Sequence, residues 1–194
     1  ILGFPLTHTN NGWLNLSGLE YVDLSNSSYF FSSHSIGSIE AWFKTSIAGT
    51  YKEIFTASDK SDASSDLTVG LGNTNKIEFS IREGGTPLSL SSNATTYADG
   101  NWHHVVIVVG ESSNKLYIDG TQDSSVSYGG GDASTQAWFN DINDIDTLRV
   151  GVRVDSGGNE YPFNGMIDEV RVYNRALSLT EITKNYKHGL SKHS

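Results

Sequence analysis

Apolar side chains recur at every second position along a set of short segments, and this spacing limits what the chain can become. Ser38-Ile39-Glu40-Ala41-Trp42-Phe43-Lys44, Leu67-Thr68-Val69-Gly70-Leu71 and Ile77-Glu78-Phe79-Ser80-Ile81-Arg82 all alternate in this way. So does Leu148-Arg149-Val150-Gly151-Val152-Arg153-Val154, with Arg149 and Arg153 on its solvent side. Successive side chains of a strand point to opposite faces, so each segment presents one face to a core and one to water. His104 to Val109 is apolar throughout and β-branched, the pattern of a central strand covered on both sides. Twenty glycines against three prolines supply tight turns rather than long helices. Asp119-Gly120, after Leu116-Tyr117-Ile118, is a hairpin turn signal. These features make the chain all-β.

One helix is expected near the end. Ser178-Leu179-Thr180-Glu181 forms a capping box, in which hydroxyl and carboxylate satisfy each other's backbone N–H groups. The helix is expected over about 178–188. Gly189 stands where a left-handed cap is wanted, and 189–194 reads as a frayed tail. No repeat or biased linker divides the sequence, so residues 1–194 read as a single domain.

Composition removes several functional classes. The chain has no cysteine, which excludes disulfide frameworks, thiolate metal sites and cysteine nucleophiles. Its formal net charge of −9 argues against a nucleic-acid partner, which needs a basic footprint. No apolar run approaches the roughly 18 residues of a membrane span, so no membrane insertion is expected. The first residues, Ile1 to Leu6, start without Met and carry too little charge for a signal peptide. They fit a domain excised from a longer protein or a processed chain. Asn15, Asn26 and Asn93 head Asn-x-Ser/Thr triplets, which matter only in a glycosylating host.

Several segments together resemble a known family. Leu14 to Leu24, Ile39-Glu40-Ala41-Trp42-Phe43, Gly100-Asn101-Trp102-His103-His104-Val105, Leu116 to Gly120 and Phe163 to Ser178 occur in the order seen in laminin-G-like domains. These belong to the wider concanavalin A-like lectin/glucanase group. The resemblance runs from about Leu14 to Gly189. It implies a jelly-roll sandwich of two antiparallel sheets, found mostly in extracellular or cell-surface proteins as a carbohydrate-binding or adhesion module.

The most informative acid is Asp168. Period-two alternation in Met166 to Tyr173 puts it on the face of Met166, Val170 and Val172, the core side. A carboxylate there needs compensation. Two forms stand open: a bound calcium ion (Ca2+), which takes six to eight oxygen ligands and which similar domains often carry, or backbone N–H groups from the N-terminal segment. Glu169 and Arg171 read as a solvent-side ion pair. The resemblance also offers a rim calcium position at Asp66, with the turn from Val154 through Asp155 to Asn159 supplying further oxygens. An unoccupied, solvated loop is the alternative there. His103 and His104 are adjacent strand residues pointing to opposite faces and read as structural.

Two polar loops stand out, Ser58 to Asp66 and Asp123 to Asp146. The second is acidic and holds Tyr128, Trp138 and Phe139; it is either functional or a solvated extension with its aromatics packed on the rim. Sugar rings stack on aromatic faces while polar side chains take their hydroxyls. The expected glycan-binding set is therefore Tyr97, Tyr128, Trp138, Phe139 and Tyr161, with Arg82, Arg149, Arg153 and Asn143 as polar partners. Trp42 and Trp102 read as core. The Glu-x-Asp-x-x-Glu strand of related glucanases and the Gln-Ile-His strand of related lyases are both missing, as is a Gly-x-Ser-x-Gly elbow. The expected function is a calcium-stabilised, non-catalytic carbohydrate-binding module of a secreted or surface protein. A structural or adhesion module, packing on protein partners or other domains of a parent protein, is the alternative. A polysaccharide hydrolase or lyase comes third.

Overall fold

The computed structural model describes residues 12–26, 33–85, 87–111, 113–155 and 158–193. Ile1 to Leu6, and Ser156 and Gly157 of the rim turn, lie outside the described residues. The alternating segments form antiparallel strands, numbered here in chain order. One sheet runs β1 (Leu14–Ser17), β15 (Asn164–Tyr173), β3 (Gly37–Lys44), β8 (Trp102–Val109), β9 (Asn114–Ile118), β10 (Thr121–Gln122). The other has seven strands: β11 (Ser127–Gly130), β7 (Leu88–Ser91), β6 (Ile77–Glu83), β5 (Ser65–Leu71), β4 (Lys52–Ser58), β12 (Thr147–Val150), β2 (Val22–Asp23). A short ribbon pairs β13 (Arg153–Asp155) with β14 (Gly158–Glu160). The sheets form a jelly-roll sandwich whose core joins Ile39, Ala41, Phe43, Val105 and Ile107 to Phe55, Leu67, Val69, Phe79 and Ile81. Asp119 and Gly120 both take positive φ at the expected hairpin, where β9 turns into β10.

The central strand β8 is covered on both sides. Val105, Ile107 and Val109 face the sandwich, whereas Val106 and Val108 join Tyr117, Tyr173, Leu177 and Ile182 in a second apolar cluster. That cluster lies under α1 (Leu179–His193). The capping box forms: Ser178 N–H donates to Glu181 Oε2 at 2.9 Å, and Glu181 N–H to Ser178 Oγ at 3.3 Å. The end of the helix corrects the sequence reading. Gly189 is no left-handed cap but a buried helical residue, and a Cβ placed on it would meet Trp42 Nε1 at 2.3 Å. The bare backbone lets the helix settle on the indole. The expected frayed tail therefore stays helical to His193, whose ring packs 4.7 Å from Trp42 and 4.3 Å from Trp102.

Asp168 also departs from expectation. Strand register shifts between Asp168 and Arg171, so that Glu169 and Val170 face the single residue Ala41 across the ladder, and Glu169 takes φ 51°. A bulge of this kind resets the side-chain alternation. Asp168 thus shares the face of its register partner Trp42, beneath the helix, while Ile167, Val170 and Val172 line the sandwich core. Glu169 and Arg171 do pair, at 2.9 Å, although the Glu169 side chain is only 6 % exposed.

The same covered face holds a buried carboxylate, Glu40. It accepts hydrogen bonds from Arg171 Nη1 (3.2 Å), Tyr173 Oη (2.9 Å) and Asn185 Nδ2 (2.9 Å), and lies 3.0 Å from His104 Nε2. Burial opposes its charge, but this pairing outweighs burial and holds its pKa below the usual carboxylate range. One side chain thereby ties β3, β8, β15 and α1 together.

In a solvated helix, Gly to Ala stabilises by roughly 1 kcal/mol. Here the sign reverses. Gly189→Ala is expected to destabilise the protein by about 1–3 kcal/mol, the usual cost of overpacking, as measured by denaturant unfolding.

Candidate functional site

The outward face of the seven-stranded sheet is the open one. Register places Asp66, Thr68 and Gly70 of β5 beside Arg82, Ser80 and Glu78 of β6, with Ser89 and Ser91 of β7 beyond them. Small polar side chains therefore floor this half of the sheet. Over the other half, Val152 to Asp155 and Gly158 to Tyr161 lie back across β4. They are held by Thr56 Oγ1 donating to the Val152 carbonyl (2.9 Å), Ser58 Oγ to that of Val154 (2.9 Å) and Glu53 N–H to that of Tyr161 (2.9 Å). This crossing brings Arg153 and Tyr161 over the open sheet face beside Asp66 and Glu53, and the space these side chains border is the cleft.

Asp66 is 1 % exposed. Arg82 grips it from the neighbouring strand, Nε donating to Oδ1 at 2.8 Å and Nη2 to Oδ2. That grip raises the pKa of Arg82 further above its already high value, and leaves Nη1 with no acceptor among the described residues. Arg153 approaches from the crossing segment with Nε 2.7 Å from Asp66 Oδ2. Its N–H is not aimed at that oxygen, so this buried donor makes no hydrogen bond. Elsewhere Arg153 Nη2 donates to the Ala63 carbonyl at 2.9 Å, and the guanidinium nears Asp155 (3.6 Å) and Glu160 (3.4 Å). Burial and a hydrogen bond to Asp155 raise the pKa of Glu160.

Two further residues complete the cleft. Glu53 is 8 % exposed and its carboxyl makes no hydrogen bond or ion pair among the described residues. Burial, reinforced by the charge of Asp66, pushes its pKa up to about 8. Tyr51 and Tyr161 are both exposed, with ring centroids 5.2 Å apart, and the Arg153 guanidinium lies 5.8 Å from the Tyr161 ring. Exposed amphipathic rings beside donors with unused N–H groups can hold a polar ligand that also has an apolar face.

Of the expected glycan-binding residues, Arg82, Arg153 and Tyr161 meet here. Asn143 stands close by, its Nδ2 donating to Glu83 Oε1 at 2.6 Å. Arg149 lies nearer the sheet edge, 4.3 Å over the Tyr21 ring and 3.4 Å from Asp23. Arg153 is buried rather than solvent-facing, because Gly151 turns the chain out of the ladder at φ 90° and β13 folds inward over β4. Tyr128 pairs with the core residue Leu90 and packs against the sandwich interior. Tyr97 belongs to a separate open depression of about 330 Å³ with Asn93, Gln122 and Asp123. Trp138 and Phe139 require correction: at 1 % and 0 % exposure they are core residues. Trp138 packs 6.1 Å from Phe79, and Phe139 edge-on to Phe55 at 6.3 Å. A polar loop folds back to close the sandwich with its two largest rings. Glu53 and Tyr51 were not singled out from the sequence.

The acids proposed for calcium do not converge. Asp66 has both oxygens against guanidinium groups. Asp168 Oδ1 accepts the Glu169 N–H at 2.7 Å, and Oδ2 lies 3.4 Å from His193 Nε2. Asp155 stands beside Arg153. Among the described residues no group of three or more His, Asp or Glu side chains is arranged to hold a metal ion. Asp66, Asp155 and Asp168 therefore form no shared acidic cluster among the described residues. His103 and His104 point to opposite faces, each against carboxylates: His103 to Asp99 and Asp119, His104 to Glu40.

Trp138→Ala is expected to cost about 3–5 kcal/mol of stability, as for a core tryptophan. Equilibrium unfolding measures this.

Comparison with known proteins places the fold. A laminin-G-type family model, described as the concanavalin A-like lectin/glucanases superfamily, matches residues 16–183. A search of curated proteins returned no match. Among solved structures, the chain is similar to the CBM40 module of the Ruminococcus gnavus IT-sialidase, with 16 % identity, TM-score 0.74, and 90 % of this chain covering 95 % of that one. That module has also been solved bound to α2,3- and α2,6-sialyllactose. The leech intramolecular trans-sialidase (17 % identity, TM-score 0.73) aligns over 91 % of this chain and 27 % of its own. NanB sialidase from Streptococcus pneumoniae (19 % identity, TM-score 0.74) aligns over 89 % and 27 %. This chain thus spans about a quarter of those two enzymes.

Proposed function

Because the chain belongs to the concanavalin A-like lectin/glucanase superfamily, we propose that it is a non-catalytic carbohydrate-binding module holding a glycan in the cleft of Arg82, Arg153, Tyr51 and Tyr161. The observation that carries this reading is a pair of arginines with unused N–H groups beside two exposed tyrosines. Guanidinium favours carboxylate, which makes an acidic, sialylated glycan the favoured ligand class. The sialyllactose complexes of the similar R. gnavus module support it.

The acids present support binding without bond cleavage. Glycoside hydrolysis needs two carboxyl groups acting across the sugar. Glu53 retains a proton at neutral pH and resembles a general acid, but the neighbouring Asp66 is occupied by guanidinium on both oxygens. The module is proposed to serve a secreted or surface protein that acts on or adheres to glycans. No helix of the described residues is long and apolar enough to cross a membrane.

Calorimetry with α2,3- and α2,6-sialyllactose, against lactose, tests the reading. Sialylated sugars are expected to bind and lactose to bind far less. Tyr51→Ala and Tyr161→Ala should each weaken binding by roughly 5–10-fold, the loss of one aromatic contact of about 1–1.5 kcal/mol, at unchanged melting temperature. If the folded protein retains no sugar, while Tyr161→Ala abolishes association with a neighbouring domain, the adhesion reading replaces this one. A chelator is expected to leave the melting temperature unmoved, since the acids share no cage. A fall of several degrees would restore calcium stabilisation by mass action.

A further inference from the structure

Glu53 occupies the cleft in a way that neither its strand nor the core requires. It stands opposite Gly70 in the ladder, and its Oε2 lies 2.5 Å from where a Cβ on Gly70 would sit. The missing side chain of Gly70 makes the space that the Glu53 carboxyl fills. Four charged groups face it: Asp66 from β5, Glu78 and Arg82 from β6, and Arg153 from β13. Tyr161, whose carbonyl accepts the Glu53 N–H, flanks it from the crossing segment. Its chain neighbour Lys52 points elsewhere, with Nζ donating to the Thr50 carbonyl at 2.7 Å.

Among the described residues the Glu53 carboxyl makes no hydrogen bond or ion pair, and the Arg153 Nε–H, though 2.7 Å from Asp66 Oδ2, makes no hydrogen bond, while its charge acts on Glu53. Resting on the glycan-binding reading above, we propose that Glu53 is a proton-gated specificity residue. Uncharged, it admits a sugar carboxylate to the Arg153 and Arg82 N–H groups; ionised, it occupies Arg153 itself and repels that sugar.

The physical basis is a competition between two anions for one guanidinium edge. Asp66 already commits part of the positive charge of both arginines, and Asp155 and Glu160 take more of Arg153. A second buried anion at Glu53 would add to the Asp66 charge and further weaken the pull of both arginines on a ligand anion. With its proton in place, the carboxyl is neutral and presents an O–H donor that a carboxylate or hydroxyl of the ligand can accept. Burial and the Asp66 charge keep that proton on up to about pH 8.

Sialyllactose titrated calorimetrically between pH 6 and 9.5 tests this, because the sugar carboxylate is ionised throughout. Affinity is expected to be level below about pH 7 and to fall by up to tenfold per pH unit above about 8, the slope for one linked proton. Glu53→Gln keeps the shape and cannot ionise, so whatever its affinity at pH 6, that affinity should no longer fall on the alkaline side. Glu78→Gln should keep the fall. Sugar binding with a level wild-type profile, or a Glu53→Gln profile identical to wild type, overturns the role of Glu53 and leaves the binding site standing. No binding by the folded protein at any pH overturns both.

Discussion

A carboxylate sealed into the polar face of a sheet must be matched by positive charge, and the matching of Asp66 organises the open side of this protein. Breaking a buried ion pair by removing one partner typically costs several kcal/mol, so both arginines must arrive. Arg82 comes from the facing position in the ladder. Arg153 comes from a segment that has left the sheet and is tied back over β4 by Thr56, Ser58 and the Glu53 amide. The cleft is the space between these two arrivals, and its unused N–H groups are the remainder after Asp66 is satisfied.

The opposite face follows the same rule to a different end. Glu40 is also fully buried, but His104, Arg171, Tyr173 and Asn185 surround it and α1 closes over them. Both Glu40 oxygens are answered by these partners, and the polar atoms left over there, Trp42 Nε1 and His104 Nδ1, are buried away from solvent, so that face serves cohesion. On the other side, among the described residues, Asp66 is answered while Arg153 Nε and the Glu53 carboxyl make no hydrogen bond. The difference between a structural polar cluster and a binding one lies in which groups stay unmatched beside solvent.

Local patterns carried much of the architecture. Alternation marks the strands, Asp119-Gly120 the hairpin and Ser178 with Glu181 the helix start, because each depends on residues close in sequence. Arg82, Arg153 and Tyr161 were legible as candidates for the same reason: polar or aromatic side chains near strand ends. Trp138 and Phe139 misled, since a polar loop around two rings looks alike whether the rings face water or plug a sandwich end. Asp168 misled because one bulge residue, Glu169 at φ 51°, inverts the alternation on which its placement rested. Glu53 gave no signal at all. Its environment is made by Gly70, Asp66 and Arg153, drawn from two other strands.

The amino-acid order by itself determined an all-β sandwich with one capped helix, because period-two alternation, turn glycines and capping boxes act within a few residues. It also set the family, through segments spread along nearly the whole chain. Tertiary structure alone decided where the helix ends, since Gly189 behaves as a packing contact only with Trp42 beneath it. It alone decided which acids are paired, which arginine donors are left over, and that the Glu53 pKa is raised, because desolvation and charge proximity are properties of residues brought together from distant parts of the chain.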